Sequence, residues 1–139
     1  KEPGKNGTVV IDDYAHHPDE LKASIKSVKD LYPGRKVSVI FQPHLYTRTR
    51  DFAPQFAEAL SHADEVLLLD IYPAREQPIE GVTSEIILND IKCAQKSICE
   101  KKDLIDRIKN HKFDVLLTVG AGDICNYLPQ ICETIKKNA

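Results

Sequence analysis

Residues 8–18 read TVVIDDYAHHP. Thr8, Val9, Val10 and Ile11 form a short continuous run of apolar and β-branched residues, the pattern of a strand covered on both faces. The run stops at Asp12, Asp13, Tyr14, His16 and His17. Pro18 suits the first position of a helix, where its missing N–H costs nothing. Asp19 and Glu20 follow, where acidic groups favour the positive end of the helix dipole. The polar cluster therefore falls in a strand-to-helix turn at the carboxyl end of a strand, the edge where open α/β sheets bind ligands. Plainer readings stand beside this one. A carboxylate in such a turn serves equally as a helix cap. His16 and His17 with His44 offer imidazoles to a metal, but adjacent histidines in a turn diverge and no third ligand follows at helical spacing.

Working outward, strand and helix alternate to the end of the chain. The first strand is predicted at Thr8–Asp13 and the first helix at Pro18–Leu31, with Leu21, Ile25 and Val28 on one stripe. A second strand, Lys36–Gln42, runs into the polar segment PHLYTRTRD, residues 43–51. The next helix is predicted at Asp51–His62, because Pro54 fits only in a first turn. A third strand follows at Glu65–Ile71, then a loop over 74–83 and a short helix from Ser84, its cap, to Ile91. Ser97–Cys99 is a candidate edge strand, Lys101–His111 a helix and Phe113–Val119 the last strand. Gly120-Ala121-Gly122-Asp123 then opens a final helix reaching about Lys137, with a kink or restart at Pro129. Such alternation predicts an α/β fold, a three-layer Rossmann-like single domain over 1–139 with a mostly parallel sheet and helices on both faces.

The composition bounds the function. A chain of 139 residues suffices for one domain with its own core. A net charge of −2 gives no electrostatic reason to expect nucleic acid or an anionic membrane as partner. No apolar run approaches the roughly 20 residues that span a bilayer, and KEPGKNGT at the start lacks the apolar core of a signal peptide. Methionine is absent even from position 1, so the chain is expected to be a piece of a longer polypeptide. Cys93, Cys99, Cys125 and Cys132 match no zinc or redox spacing. Cys125 and Cys132, seven apart on the final helix, are expected to share an apolar face, and a reducing, cytoplasmic compartment is the simplest reading.

The chemistry-bearing residues concentrate after the strands. The first strand delivers Asp12, Asp13, Tyr14, His16 and His17, the second Gln42, His44, Tyr46, Arg48 and Arg50. The third delivers Asp70, Tyr72 and Arg75, and the last the Gly120–Asp123 turn. All four clusters lie at carboxyl ends of parallel strands and can converge on one edge. Two arginines beside His44 are expected to make a fork for a carboxylate or phosphate. Gly-Ala-Gly after a strand allows close backbone approach at a helix N-terminus, but the full dinucleotide fingerprint is absent.

At DDYAHHPDE, FQPHLYTRTRDF, LLLDIYPAREQPI and LTVGAGDI the sequence resembles the C-terminal domain of the Mur ligases, along essentially its whole length. The first motif is shared in variant form across that family. The HxYTRTR segment is similar to the branch that adds L-alanine, whereas the branch that recycles murein tripeptide differs there. The resemblance implies an ADP-forming ligase of peptidoglycan precursor synthesis. ATP and Mg²⁺ activate the lactyl carboxylate of UDP-N-acetylmuramate as an acyl phosphate, and the amine of L-alanine attacks it. It also implies two further domains of the same chain, one holding UDP and one holding the phosphate loop and metals. The phosphate-loop motif is missing from these residues, so the piece alone is expected to be inert.

The resemblance further implies site roles. Asp13 approaches the ATP ribose. Tyr14, His16, His44 and Arg48, with Arg50 close by, surround L-alanine, and Arg48 takes its carboxylate. His16, the catalytic candidate, helps neutralise the transferring phosphate, while the general base stays open between a histidine and water. Gly120, Gly122 and Asp123 line the far wall, and no metal ligand is assigned. Many relatives carry arginine where this chain has Leu45, which places more weight on His44, Arg48 and Arg50. Three alternatives stay open: another ligase of the same family, such as the tripeptide-recycling branch, a phosphoacceptor receiver domain using the paired acids and Asp70, and a plain nucleotide-binding domain. A receiver would place a lysine after the last strand, where Gly120-Ala121-Gly122 stands.

Overall fold

The computed structural model describes residues 2–3, 9–15, 17–73, 75–92, 95–109, 113–120 and 124–138. In chain order the elements are β1 (Glu2–Pro3), β2 (Val9–Asp13), α1 (Pro18–Leu31), β3 (Val37–Phe41), α2 (Tyr46–Leu60), β4 (Glu65–Leu68), α3 (Glu85–Leu88) and β5 (Gln95–Ile98). A 3-10 turn at Lys101–Asp103 leads into α4 (Leu104–Lys109), then β6 (Val115–Val119), a 3-10 turn at Ile124–Tyr127 and α5 (Leu128–Asn138). The strands form one six-stranded sheet in the order β1-β2-β6-β3-β4-β5. All neighbouring pairs are parallel except the short β1, which runs antiparallel to β2.

Strand order and handedness decide which face each helix covers. From β2 to β5 the chain steps one way across the sheet; after β5 it turns back and inserts β6 between β2 and β3. Parallel crossovers are right-handed, so a reversal of direction moves the connecting helices to the opposite face. The buried residues divide accordingly. Leu21, Ile25 and Val28 of α1, Phe56 and Leu60 of α2 and Ile87 of α3 share one core with Val37, Val39 and Phe41. Leu104 and Ile108 of α4 and Ile131 and Ile135 of α5 pack on the other face against Val10, Ile40 and Leu116. β3 and β6 are central, and each of their residues is buried. That is why VSVIF and VLLTV are almost free of polar residues.

The α/β class, the parallel sheet and the two helical layers match the sequence reading; several boundaries do not. α2 begins at Tyr46, not Asp51, so most of PHLYTRTRD is helical instead of loop. The proline objection is met by a break: Phe52 has non-helical torsions (φ −121°, ψ 15°), and Pro54 opens the second segment. Pro129 likewise sits at the start of a restarted helix, α5. Cys125 therefore falls in the 3-10 turn and does not share a helix with Cys132. Ser84 does not cap α3. Its Oγ donates to the Leu69 carbonyl at 2.5 Å, tying that loop to the end of β4. The edge strand lies at Gln95–Ile98, and its Lys96 Nζ donates to the Leu88 and Ile91 carbonyls.

The amino edge is fastened by charge. Asp114, just before β6, accepts from Arg35 Nε at 2.6 Å and from the Lys36 N–H at 3.2 Å, while its carbonyl accepts from the Val9 N–H at 3.0 Å. One residue, through its carboxylate and its carbonyl, thus ties the starts of β3, β6 and β2. The Arg35 hydrogen bond holds the Asp114 carboxyl below its ordinary range, helped by the Lys36 N–H and the guanidinium charge and opposed by desolvation. A carboxyl whose pKa is depressed on folding stabilises the fold above its unfolded value and loses that contribution as pH falls through the folded value. The stability deficit of Asp114→Asn, read from urea midpoints, is therefore expected to be full at pH 7. It should shrink as the pH drops below about 4, where the unfolded carboxyl protonates. A deficit that stays constant down to pH 2 would rule the charge out as the source.

Candidate active-site edge

β6 is the topological switch point. Its chain leaves toward α5 on one face, while β2 and β3 on either side leave toward α1 and α2 on the other. A crevice opens where neighbouring connections part in this way. Register aligns the strand ends there: Asp13 pairs with Val119, Val119 with Phe41, and Phe41 with Leu68. The ladder runs one step further. The Gly120 N–H donates to the Asp13 carbonyl at 3.1 Å and the Gln42 N–H to the Val119 carbonyl at 3.0 Å. Three of the four sequence clusters are thereby brought side by side at β2, β6 and β3. The fourth joins through β4.

The pleat separates the two acids of β2. Asp12 accepts from Thr118 Oγ1 at 2.8 Å on its β6 neighbour. Asp13 turns toward α1, where one carboxylate oxygen accepts from the Ala15 N–H at 2.9 Å and the other from Ser24 Oγ at 2.5 Å. Successive strand residues point to opposite faces, so the acidic pair of the receiver reading does not form. Asp13 instead shapes the turn, and its remaining lone pairs can still accept. Beyond it, Tyr14 is 63% exposed. His17 opens α1: its N–H donates to Glu20 at 3.2 Å, and its ring lies 5.1 Å from that of Phe52 at the α2 break. His16, Gly122 and Asp123 lie outside the described residues. No group of three His, Cys, Asp or Glu side chains suited to a metal occurs among the described residues.

The β3 end is built around His44 and Arg48. One turn apart at the start of α2, they meet directly: Arg48 Nη1 lies 2.9 Å from His44 Nδ1. A guanidinium only donates, so Nδ1 is the acceptor and the neutral ring carries its hydrogen on Nε2. The imidazole also stacks on Tyr72, with ring centroids 5.7 Å apart and planes at 14°. The expected two-arginine fork does not form. Residues two apart on a helix diverge, and Arg50 is exposed and paired with Asp51 at 3.0 Å.

Two features here were not found from the sequence. Leu45 has a positive φ (72°, with ψ 138°), a conformation that costs a residue with a side chain about 1–3 kcal/mol. It is held there from both sides. Its N–H donates to the Tyr72 carbonyl at 2.8 Å, and its carbonyl accepts from Thr49 Oγ1 at 2.8 Å. Glu76, from the loop after β4, reaches the first turn of α2 and accepts from the Thr47 N–H at 3.1 Å and from Thr47 Oγ1 at 2.5 Å. Neither could be read locally, because each depends on the contact between the β3 and β4 loops. The only sequence trace is a glutamate in an otherwise turn-rich stretch.

On the β6 side, Gly120 is buried. A Cβ there would lie 3.1 Å from the Gln42 carbonyl oxygen and from Ile124 Cγ2, and 3.2 Å from Gln42 Cβ. Gln42 is itself fully buried, and its Oε1 accepts from the Ile124 N–H at 3.0 Å. Glycine at 120 thus lets β3 close onto the turn that leads to α5.

The family model described as "Mur ligase, glutamate ligase domain" matches residues 2–122. The chain is 54% identical over 135 residues to a UDP-N-acetylmuramate–L-alanine ligase of Phocaeicola vulgatus, covering 96% of this chain and 30% of that protein. It is 57% identical over 129 residues to one of Parabacteroides distasonis, covering 93% and 28%. The chain thus spans less than a third of the curated relatives it matches. Among solved structures, the UDP-N-acetylmuramate-alanine ligase of Thermotoga maritima is similar with a TM-score of 0.73 and 30% identity, over 97% of this chain and 28% of that one. A murein peptide ligase of Psychrobacter arcticus shares the fold, with a TM-score of 0.76 and 17% identity over 98% of this chain and 29% of that one.

Proposed function

The chain belongs to the Mur ligase family through its glutamate ligase domain, and from that premise we propose that it is the amino-acid-binding, C-terminal part of an ATP-dependent ligase joining L-alanine to UDP-N-acetylmuramate. The observation that carries the reading is the His44–Arg48 pair, stacked on Tyr72 at the β3 end beside the switch point. It presents a charged, planar donor group where an amino-acid carboxylate can be held by two parallel hydrogen bonds. The relatives named above as L-alanine ligases, each more than half identical to the chain, support the choice of amino acid.

In this reading Tyr14, His16, His44 and Arg48 surround L-alanine, with Arg48 on its carboxylate and Arg50 at the outer rim. His16 also faces the phosphate being transferred. Asp13, already fixed by Ala15 and Ser24, offers a lone pair to a ribose hydroxyl. Gly120, Gly122 and Asp123 form the opposite wall. The chemistry needs ATP and Mg²⁺, which turn the lactyl carboxylate into an acyl phosphate. The chain has no phosphate-loop motif. In this reading the remainder of the protein holds most of the ATP and the Mg²⁺, and this chain adds the Asp13 contact to the ribose. What this chain contributes is orientation: holding the carboxylate and aiming the amine removes much of the entropic part of the barrier.

The test is amino-acid-dependent phosphate release by the full-length parent with ATP and UDP-N-acetylmuramate, comparing L-alanine with a murein tripeptide. Turnover with alanine and not tripeptide is the expected result. Turnover with tripeptide alone would move the protein to the recycling branch. Ligation by the 139-residue chain alone would overturn the division of labour.

A further inference from the structure

We propose that Glu76 is a positioning residue for the amino-acid site, a carboxylate from the β4 loop that fixes the first turn of α2 and thereby sets Arg48 against His44. The proposal rests on the functional reading above and deepens it.

The geometry is a clamp between two loops. The backbone of 43–45 and that of Tyr72 run as a parallel bridge. The Tyr72 N–H donates to the Pro43 carbonyl at 2.8 Å, and the Leu45 N–H donates to the Tyr72 carbonyl at 2.8 Å. The Tyr72 ring covers the His44 imidazole. Four residues later, Glu76 takes the Thr47 N–H and hydroxyl together. Arg50 lends its positive charge to the same carboxylate.

The physical need is plain. The first N–H groups of a helix lack partners inside it, and α2 starts from a strained residue, Leu45, whose side chain cannot cap. A carboxylate that takes the Thr47 N–H and hydroxyl together supplies the cap that the sequence omits, and its charge suits the helix N-terminus. Arg48 stands one residue beyond Thr47. A turn held at Thr47 therefore fixes the direction from which the guanidinium reaches His44. These bonds, the Thr47 hydroxyl first, hold the Glu76 carboxyl below its ordinary range, so it is ionised throughout the neutral range.

The experiment uses the full-length protein and L-alanine-dependent phosphate release. Glu76→Ala is expected to raise KM for L-alanine about tenfold or more. It should leave kcat within about threefold and the KM values for ATP and UDP-N-acetylmuramate within about twofold, the mark of lost binding rather than lost chemistry. Glu76→Gln, which keeps one acceptor, is expected to fall between. In the Arg48→Ala background Glu76→Ala should add nothing further, because both changes remove one interaction. A normal KM for alanine, a uniform fall in kcat with all three KM values raised, or full additivity with Arg48→Ala would each overturn the proposal.

A second readout does not depend on turnover. In the same full-length proteins, amide exchange at Tyr46 and Thr47 should speed up in Glu76→Ala while Phe56–Leu60 keeps its protection. A wild type inactive with alanine would refute the functional reading. Unchanged exchange at Tyr46 and Thr47 would refute the clamp.

Discussion

Replacing Arg48 by alanine in the full-length parent is expected to raise KM for L-alanine at least tenfold, a loss of about 1.4 kcal/mol or more of binding. Hydrogen bonds to charged partners are worth about 1.5–3 kcal/mol each, and a guanidinium–carboxylate pair makes two of them at once. Among the described residues the guanidinium makes one hydrogen bond, to His44 Nδ1 at 2.9 Å. Most of its five donors are therefore free of protein acceptors there. That bond also orients the group: His44 is pinned by the Tyr72 ring, and Arg48 is pinned by His44. Arg48→Lys keeps the charge but not the planar fork, so it should recover only part of the loss. Arg50→Ala is the companion measurement. Arg50 lies two residues on and is turned to Asp51; if its loss costs more alanine affinity than that of Arg48, the carboxylate assignment passes to Arg50. A rise below about tenfold for Arg48→Ala would remove the assignment from that residue.

The fold was legible wherever local pattern and tertiary position agree. VSVIF and VLLTV are continuous apolar runs because β3 and β6 are buried on both faces. Leu21, Ile25 and Val28 mark α1 because only one stripe of it meets the sheet. The site edge was legible for a related reason: parallel strands collect their carboxyl ends on one side, so Asp13, His44 and Gly120 had to be neighbours in the sheet plane. The start of α2 was hidden. YTRTRD has no apolar stripe, and Pro54 argues for a late helix start. The helix forms early because Glu76, from another loop, caps it and Phe52 breaks it before the proline. Reading that segment as loop made Arg48 and Arg50 a fork, whereas helical geometry sends them apart. The Asp12–Asp13 pair misled in the opposite direction. It reads as a shared acidic site until the strand is seen to continue through both residues and the pleat divides them.

The helix that carries Arg48 is held to the sheet by its second segment, and there the largest loss of stability is expected. Phe56 is fully buried in the core beneath α1, α2 and α3, its ring 5.3 Å from that of Phe41 at a tilt of 39°. Phe56→Ala removes the transfer energy of the ring and leaves a cavity between α2 and β3, and such changes cost about 3–5 kcal/mol. Domains of this size are stable by about 5–15 kcal/mol in total, so one ring accounts for a large share. The break at Phe52 raises the dependence further. With the helix interrupted, the first segment cannot borrow rigidity from an unbroken hydrogen-bond ladder and relies on the docked second segment and on Glu76. Leu31→Ala supplies the contrast. Leu31 is 64% exposed at the end of α1, and its truncation should change stability by no more than about 0.5 kcal/mol. Equilibrium urea unfolding of the two variants beside the parent chain gives both numbers. A Phe56→Ala loss under about 1.5 kcal/mol, outside the usual span for a buried aromatic ring, would mean that this segment of α2 is not seated on β3. The framework that positions Arg48 would then lose its anchor.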